Sequence, residues 1–247
     1  MKAILFDLFG TVVHFKPQVP VVEVAGERWR TTMGWLRESA ASLLPNVSFE
    51  DLLAALMKVT QEMTLHRAPE YREYPSRERF RRALAHLGIE GDDAVPIAEQ
   101  LSAVHMQHLA SQVVMPVEHR EILDSLALRH RLALVSNFDH AVTARRILAE
   151  HGVATCFDPI VISEELGRRK PHPAIFEAAL SAAGCEASEA VFVGDSFGDD
   201  VVGAHNAGLQ VVWINPKNEP APPGAAAPDY VIAELRGLLD LPLSPDT

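Results

Sequence analysis

From residue 118 onward the chain alternates short apolar runs with amphipathic stretches, and this alternation restricts its fold more than any other feature. The apolar runs at 132–135, 160–162, 191–193 and 211–214 are too short for helices and read as buried strands. Residues 118–129, 139–151, 173–183 and 199–207 read as helices, and the last three stop at Gly152, Gly184 and Gly208. Repeated strand–helix–strand units build a parallel sheet covered on both faces. Residues 216–228, rich in Pro and Ala, read as a surface loop, and Tyr230-Val231-Ile232 adds an edge strand.

The N-terminal run Lys2-Ala3-Ile4-Leu5-Phe6 supplies one more buried strand. It ends in Asp7, and Gly10 is placed to turn the chain sharply. A carboxylate at the carboxyl end of a buried strand stands where open α/β sheets hold their ligands, so Asp7 is the candidate nucleophile. After Thr11 the pattern is helical. Residues 23–44 put Trp29, Met33, Leu36, Ala40 and Leu43 at helical spacing. Ser48-Phe49-Glu50-Asp51 resembles a capping box ahead of Leu52, Leu53, Leu56 and Met57. Ser76 is placed to cap a helix carrying Phe80, Leu84 and Leu87 and ending at Gly88; Asp93 starts another that runs to about Gln112. The expected architecture is a three-layer α/β core from residues 1–14 and 111–247, with a helical insert at 15–110. Leaving the core after its first strand, the insert is expected to overhang the carboxyl edge of the sheet, where Asp7 sits.

Four strand ends carry polar groups. They are Asp7; Ser136 and Asn137; the basic loop Arg168-Arg169-Lys170-Pro171-His172-Pro173; and Gly194-Asp195-Ser196-Phe197-Gly198-Asp199-Asp200. A parallel sheet brings all four to one edge. Clustered carboxylates repel unless a cation sits among them. Hard oxygen ligands suit Mg²⁺, which binds few protein groups and shares itself with a substrate phosphate. A lysine and a hydroxyl beside the ion would hold the remaining phosphate oxygens. A free carboxylate can then attack phosphorus and form an aspartyl-phosphate. Asp139, next to the second group, reads as a helix cap and stays outside the site.

In this order the four groups resemble the motifs of the haloacid dehalogenase superfamily, which consists largely of phosphatases. Asp7-Leu8-Phe9-Gly10-Thr11 is similar to its first motif, Ser136 stands at the second, Lys170 at the third, and Gly194-Asp195 with Asp199-Asp200 at the fourth. The resemblance covers nearly the whole chain. It implies a Rossmann-like core with a C1-type helical cap, and a phosphatase acting on a small phosphorylated metabolite. It implies Mg²⁺ held by Asp7, the Phe9 carbonyl and Asp195, with Asp199 or Asp200 in support. Asp7, Ser136 and Lys170 are the implied catalytic residues. Phe9, Gly10, Thr11, Ser136, Asn137 and Lys170 would contact substrate.

The sequence departs from that pattern at Phe9, where the family's phosphatases usually carry a second aspartate that protonates the leaving oxygen and then activates water. Such general acid–base help is worth roughly 10²–10⁴-fold. Three readings follow: a phosphatase whose substrate leaves easily or whose acid comes from the cap, a dehalogenase, or a weak phosphate-binding relative. Related dehalogenases carry an aromatic residue here, but they work without Mg²⁺ and lack the Gly-Asp pair. The acid-rich fourth motif therefore favours the phosphatase.

Composition narrows the partners. The formal net charge of −11 argues against nucleic acid. No apolar run approaches the ~20 residues of a membrane-spanning helix, and the N-terminal run ends at Asp7, too short for a signal peptide. A cytoplasmic monomer or homodimer is expected. Cys156 and Cys185 lack metal or redox spacing and read as buried, reduced thiols. The run Arg67, Tyr71, Arg72, Tyr74, Arg77, Arg79, Arg81, Arg82 reads as a solvated helix face, with a specificity patch as the functional alternative. His105 and His108 have metal-like spacing but no third ligand, and read as ordinary helix histidines. His14, close after the first motif, is a candidate substitute acid.

Overall fold

The computed structural model of the protein describes residues 1–24 and 26–243. It divides into two compact units. One comprises Met1–Phe15 and the chain from Val114 onward; the other is Lys16–Val113. The first unit opens with β1 (Ala3–Phe6), buried at every residue, and closes its N-terminal portion with the short strand β2 (His14–Phe15).

The second unit begins differently from the helical expectation for residues 23–44. β3 (Val21–Val24) and β4 (Glu27–Arg30) form an antiparallel hairpin, and only Arg37–Leu43 is α-helix (α1), entered through a 3₁₀ turn at Thr32–Leu36. β-Branched Val21 and Val22 favour extended backbone, and Gly26 takes the left-handed conformation (φ 81°) needed to reverse the chain. Trp29, on β4, is 42% exposed, so its helical spacing to Met33 was accidental. α2 (Phe49–Leu65) starts as expected. Ser48 Oγ accepts from Asp51 N at 3.0 Å and donates to the Asp51 carboxylate at 2.6 Å. α3 (Ser76–His86) is preceded by Pro75, and Ser76 does not cap it; its Oγ accepts from Ser102 Oγ at 2.9 Å. α4 (Ala94–Ser111) follows. Leu36, Leu53, Leu56, Phe80, Leu84 and Leu101 form the core of this unit.

β5 (Val113–Val114) and α5 (Val117–Ala127) lead back into the first unit. There the alternation of the sequence is realised as β6 (Arg131–Ser136), α6 (Ala141–Glu150), β7 (Ile160–Ile162), α7 (Ser163–Leu166), α8 (Pro173–Ala183), β8 (Ala190–Gly194), α9 (Gly203–Asn206), β9 (Gln210–Ile214) and β10 (Tyr230–Ile232). The strand order is β10-β9-β8-β1-β6-β7, with every pairing parallel. β1 thus lies inside the sheet between β8 and β6, and Phe6 pairs with Val193 and Leu134. This is the Rossmann-like α/β core. Leu5, Val135, Phe176, Phe192 and Val211 pack one face of it; burial of each such side chain is worth roughly 1.5–3 kcal/mol.

Three local readings need correction. The cap of α6 is His140, whose ring accepts from Thr143 N at 3.3 Å, not Asp139. The stretch 199–207 is not one helix: a wide π-type turn (Phe197–Val202) precedes α9. Cys156 and Cys185 are half-exposed rather than buried. No described helix is long and apolar enough to cross a membrane.

Candidate active site

Asp7 leaves β1 with its backbone N–H bonded to the Val193 carbonyl at 2.9 Å, which ties it to the end of β8. The chain then turns through Gly10 at φ 89°, and the N–H groups of Val12 and Val13 both reach the Leu8 carbonyl at 2.9 Å. The tight turn brings Gly10 against the Asp195 carboxylate, in the space where any Cβ would stand.

Lys170 is 1% exposed and lies between two carboxylates, 2.6 Å from Asp7 Oδ1 and 2.7 Å from Asp200 Oδ1. Burial alone would lower its pKa, but Asp200 and Asp7 outweigh burial and hold the ammonium above its ordinary value. Asn137 fixes the lysine loop: its Oδ1 accepts from Lys170 N at 2.7 Å, and its Nδ2 donates to the Lys170 carbonyl at 3.0 Å and to Asp199 Oδ2 at 3.1 Å.

Asp200 is 1% exposed; its Oδ2 accepts from Ser196 N at 2.9 Å. Burial, reinforced by Asp7, pushes its carboxyl up to about 7 despite the neighbouring Lys170. Asp195 is solvent-exposed as a residue, yet its carboxyl is crowded, and burial with the Asp200 charge pushes it up to about 6. Burial likewise raises Asp7, against the pull of Lys170. Oxygens of Asp7, Asp195 and Asp200 all lie within 4.8 Å of one another, a set that could hold a divalent cation. Asp199 turns away from this trio toward Asn137 and Arg169, the latter at 3.9 Å.

Two hydroxyls at this edge are buried with no hydrogen-bond partner among the described residues, Ser136 Oγ and Thr11 Oγ1. Phe9 is surrounded differently. Its ring stacks on Phe15 (4.8 Å between centroids, 9° between planes) and packs against Phe138 at 4.9 Å. His14 lines a cleft of about 550 Å³ that adjoins this edge and shares Gly10, Thr11 and Asp195 with it, together with His119 and Trp213. Burial, then His119, lowers the His14 pKa.

Sequence reasoning did not foresee several supporting contacts. The Trp213 indole N–H donates to the Asp195 carbonyl at 3.0 Å, and Ser196 caps the turn that presents Asp199 and Asp200. The Ser-x-x-Asp spacing from 196 to 199 was the available signal for that cap. Phe138 stands in the stretch that carries Ser136 and Asn137 but was given no role there, and Phe15 lies outside the four strand-end groups. The basic run of the second unit is largely internal to it: Arg81 and Arg82 pair with Glu78, and Arg82 covers the Tyr74 ring at 4.8 Å. His105 is buried and bonded to Thr32 Oγ1 at 2.8 Å, whereas His108 stacks on Trp35.

The sequence that builds this edge matches the haloacid dehalogenase-like hydrolases over residues 1–208. The chain belongs to the haloacid dehalogenase-like hydrolase family. This hydrolase is 28% identical to the glyceraldehyde 3-phosphate phosphatase of Methanopyrus kandleri, over 98% of this chain and 97% of that one. Over 96 residues it is 35% identical to the glyceraldehyde 3-phosphate phosphatase of Methanothermobacter thermautotrophicus, covering 38% of this chain and 41% of the relative. The chain spans about half the length of several curated relatives it matches. Its fold superposes on the 2-haloacid dehalogenase of Pseudomonas syringae pv. Tomato DC3000 with a TM-score of 0.73, at 29% identity and with 97% of each chain covered.

Proposed function

We propose that this hydrolase is a Mg²⁺-dependent phosphomonoesterase that cleaves a small phosphorylated metabolite through an aspartyl-phosphate on Asp7. The observation that carries this reading is the convergence of Asp7, Asp195 and Asp200, two of which, Asp7 and Asp200, pair with the buried ammonium of Lys170. Three carboxylates against one lysine leave excess negative charge at this edge; burial first, and then the Asp200 charge on Asp195 and the Asp7 charge on Asp200, raise the pKa values of Asp195 and Asp200. The donor set fits Mg²⁺: oxygens only, few in number, and open on the Asp195 side. Asp7, Asp195 and the Phe9 carbonyl would hold the ion, with Asp200 in support; bound there, it would neutralise charge on the phosphoryl oxygens.

The chain's own groups do the rest. The Asp7 carboxylate attacks phosphorus as the bond to the leaving oxygen breaks. Lys170, held rigidly by the Asn137 clamp, compensates the charge that builds on the phosphoryl group. Ser136 and Thr11 have unspent hydroxyl donors for phosphate oxygens. Both polar ends of the Asn137 amide are engaged by Lys170 and Asp199, so its part is positioning. Water then hydrolyses the aspartyl-phosphate and restores Asp7. The helical unit, residues 16–113, serves as the cap that selects the substrate. The phosphatase relatives support this reading.

A dehalogenase reading draws on Phe9 and on the 29% identity to a 2-haloacid dehalogenase. Halide release needs no cation, however, and would leave the three clustered carboxylates without a purpose. The test is hydrolysis of acetyl phosphate and p-nitrophenyl phosphate, with a parallel haloacid assay in chelator. Phosphate release that requires Mg²⁺ and is lost in Asp7→Asn is expected, together with a Mg²⁺-dependent rise in Tm that Asp195→Asn removes. Halide release in chelator, with no phosphate release, would replace this reading with the second.

A further inference from the structure

The edge around Asp7 has two chemically distinct flanks. Asp195 and Asp200 follow β8 on one side of β1; Ser136 ends β6 on the other, with Asn137 and Phe138 just beyond it. Carboxylates gather on the β8 flank. On the β6 flank Phe9 meets Phe138, and Phe15 lies nearly parallel on Phe9. Phe15 is 45% exposed, so the stack ends in a bare ring surface. Its neighbour His14 faces the other way, with its ring against His119 at 5.7 Å, as alternation along a strand requires. The position two residues beyond Asp7 is thus built into an aromatic wall and carries no proton to give.

We propose that Phe9, Phe15 and Phe138 form the leaving-group subsite, and that the substrates are aryl phosphomonoesters. This inference rests on the phosphatase reading of Asp7 and specifies its substrate class. Two physical arguments converge on it. An alkoxide is a poor leaving group without a general acid, whereas a phenolate, whose parent acid has a pKa near 10, departs unprotonated. In the step that breaks the ester, an aryl ester therefore avoids the roughly 10²–10⁴-fold loss that the absent acid would impose on an alkyl ester. A planar ring also stacks on exposed phenyl surface, while the hydroxyls of a sugar or glycerol would lose water there without gaining partners.

The step balances without any further reactant. A bond forms from Asp7 Oδ to phosphorus as the phosphorus–aryl oxygen bond breaks, and the electron pair leaves on the phenolate. Water then attacks phosphorus and the bond to Asp7 breaks. One hydrogen of that water stays on the inorganic phosphate, and the other neutralises the phenolate.

The experiment compares acetyl phosphate, a series of ring-substituted phenyl phosphates, and cyclohexyl phosphate, which matches phenyl in size but leaves as an alkoxide. Binding of phenylphosphonate and methylphosphonate is measured by calorimetry. We expect kcat/KM for phenyl phosphate to exceed that for cyclohexyl phosphate by about 10²-fold or more. Values of kcat/KM in the phenyl series should rise steeply with phenol acidity, and Phe9→Asp should flatten that slope and raise kcat/KM for cyclohexyl phosphate. Phe15→Ala should weaken phenylphosphonate binding by about 3- to 10-fold relative to methylphosphonate. Because Phe9→Asp puts a carboxylate among packed rings and can fail to fold, the Phe15→Ala arm stands independently on an exposed side chain. Acetyl phosphate hydrolysis with equal phenyl and cyclohexyl rates, or unchanged phenylphosphonate binding in Phe15→Ala, would overturn the subsite while leaving the phosphatase intact. Failure to hydrolyse any of the compounds would remove the phosphatase reading itself.

Discussion

A Cβ on Gly194 would fall inside the Asp200 side chain, against both its carboxylate and its own Cβ. The glycine at the end of β8 is what lets Asp200 fold back beneath the sheet edge and reach Lys170 at 2.7 Å. Gly194→Ala must therefore push the whole Asp200 side chain aside, breaking its contacts to Lys170 and to Ser196 N. We expect destabilisation of about 1–3 kcal/mol, as for other overpacked sites, and a loss of Mg²⁺-dependent phosphate release of tenfold or more. Thermal unfolding and an acetyl phosphate assay check the two effects separately. Wild-type values in both would mean that Asp200 has room the geometry does not provide.

Lys170 neutralises Asp7 and Asp200 together, so Lys170→Met leaves two adjacent buried carboxylates with no counter-charge. Breaking a buried ion pair by removing one partner costs roughly 3–5 kcal/mol. The sign of the pH dependence follows. Without the ammonium, both carboxyls are raised further above their unfolded values, so the folded state binds protons more readily than the unfolded one. The stability deficit relative to wild type should therefore shrink as pH falls. Denaturant unfolding of both proteins from pH 8 to 5 measures it, and a deficit that grows toward acid contradicts the ion-pair account.

Asn137 offers a sharper test of positioning. Asn137→Ala removes two hydrogen bonds that hold the lysine loop and one to Asp199, without touching Asp7, Asp195 or Asp200. A misplacement of about 1 Å in a catalytic group can cost 10²-fold, so kcat should fall by one to two orders of magnitude. KM should move far less, because the amide is already engaged by Lys170 and Asp199. A rise in KM with kcat preserved would instead identify Asn137 as a substrate ligand.

The legible and illegible parts of this protein differ for a physical reason. The central strands β1 and β8, apolar and buried at every residue, could be read directly, because a central parallel strand is dictated by burial on both faces. So could the arrival of Asp7, Ser136, Lys170 and Asp195 at one edge, which follows from parallel topology alone. The hairpin at Val21–Arg30 could not, because Trp29, Met33, Leu36 and Ala40 mimic a helical stripe and only Gly26 marks the reversal. The choice between Asp199 and Asp200 was equally closed to sequence. One residue of offset in the π-type turn decides which carboxylate faces Lys170, and a turn of that pitch leaves no periodic trace. Phe15 and Phe138 met Phe9 through tertiary contacts between β2, the end of β6 and the turn after β1, which no local pattern announces.

His105 gives the second unit a dependence on pH that is independent of the catalytic edge. It is 2% exposed, bonded through Nε2 to Thr32 Oγ1, packed edge-on to Phe80, and its Nδ1 has no partner among the described residues. Burial first, with Arg79 and His108 adding repulsion, pushes its pKa down to about 3. In the unfolded chain it titrates near 6.5. The unfolded state therefore binds a proton that the folded state refuses as pH falls below that value. Stability is complete above about 6.5 and declines by about 1.4 kcal/mol per pH unit toward 3 from this residue alone. His105→Gln, which keeps a polar partner for Thr32 but cannot ionise, should remove that slope at some cost in stability at neutral pH. The measurement is the slope of unfolding free energy between pH 6.5 and 4 in the two proteins. Parallel slopes would show that His105 gains solvent or a proton acceptor before the unit unfolds.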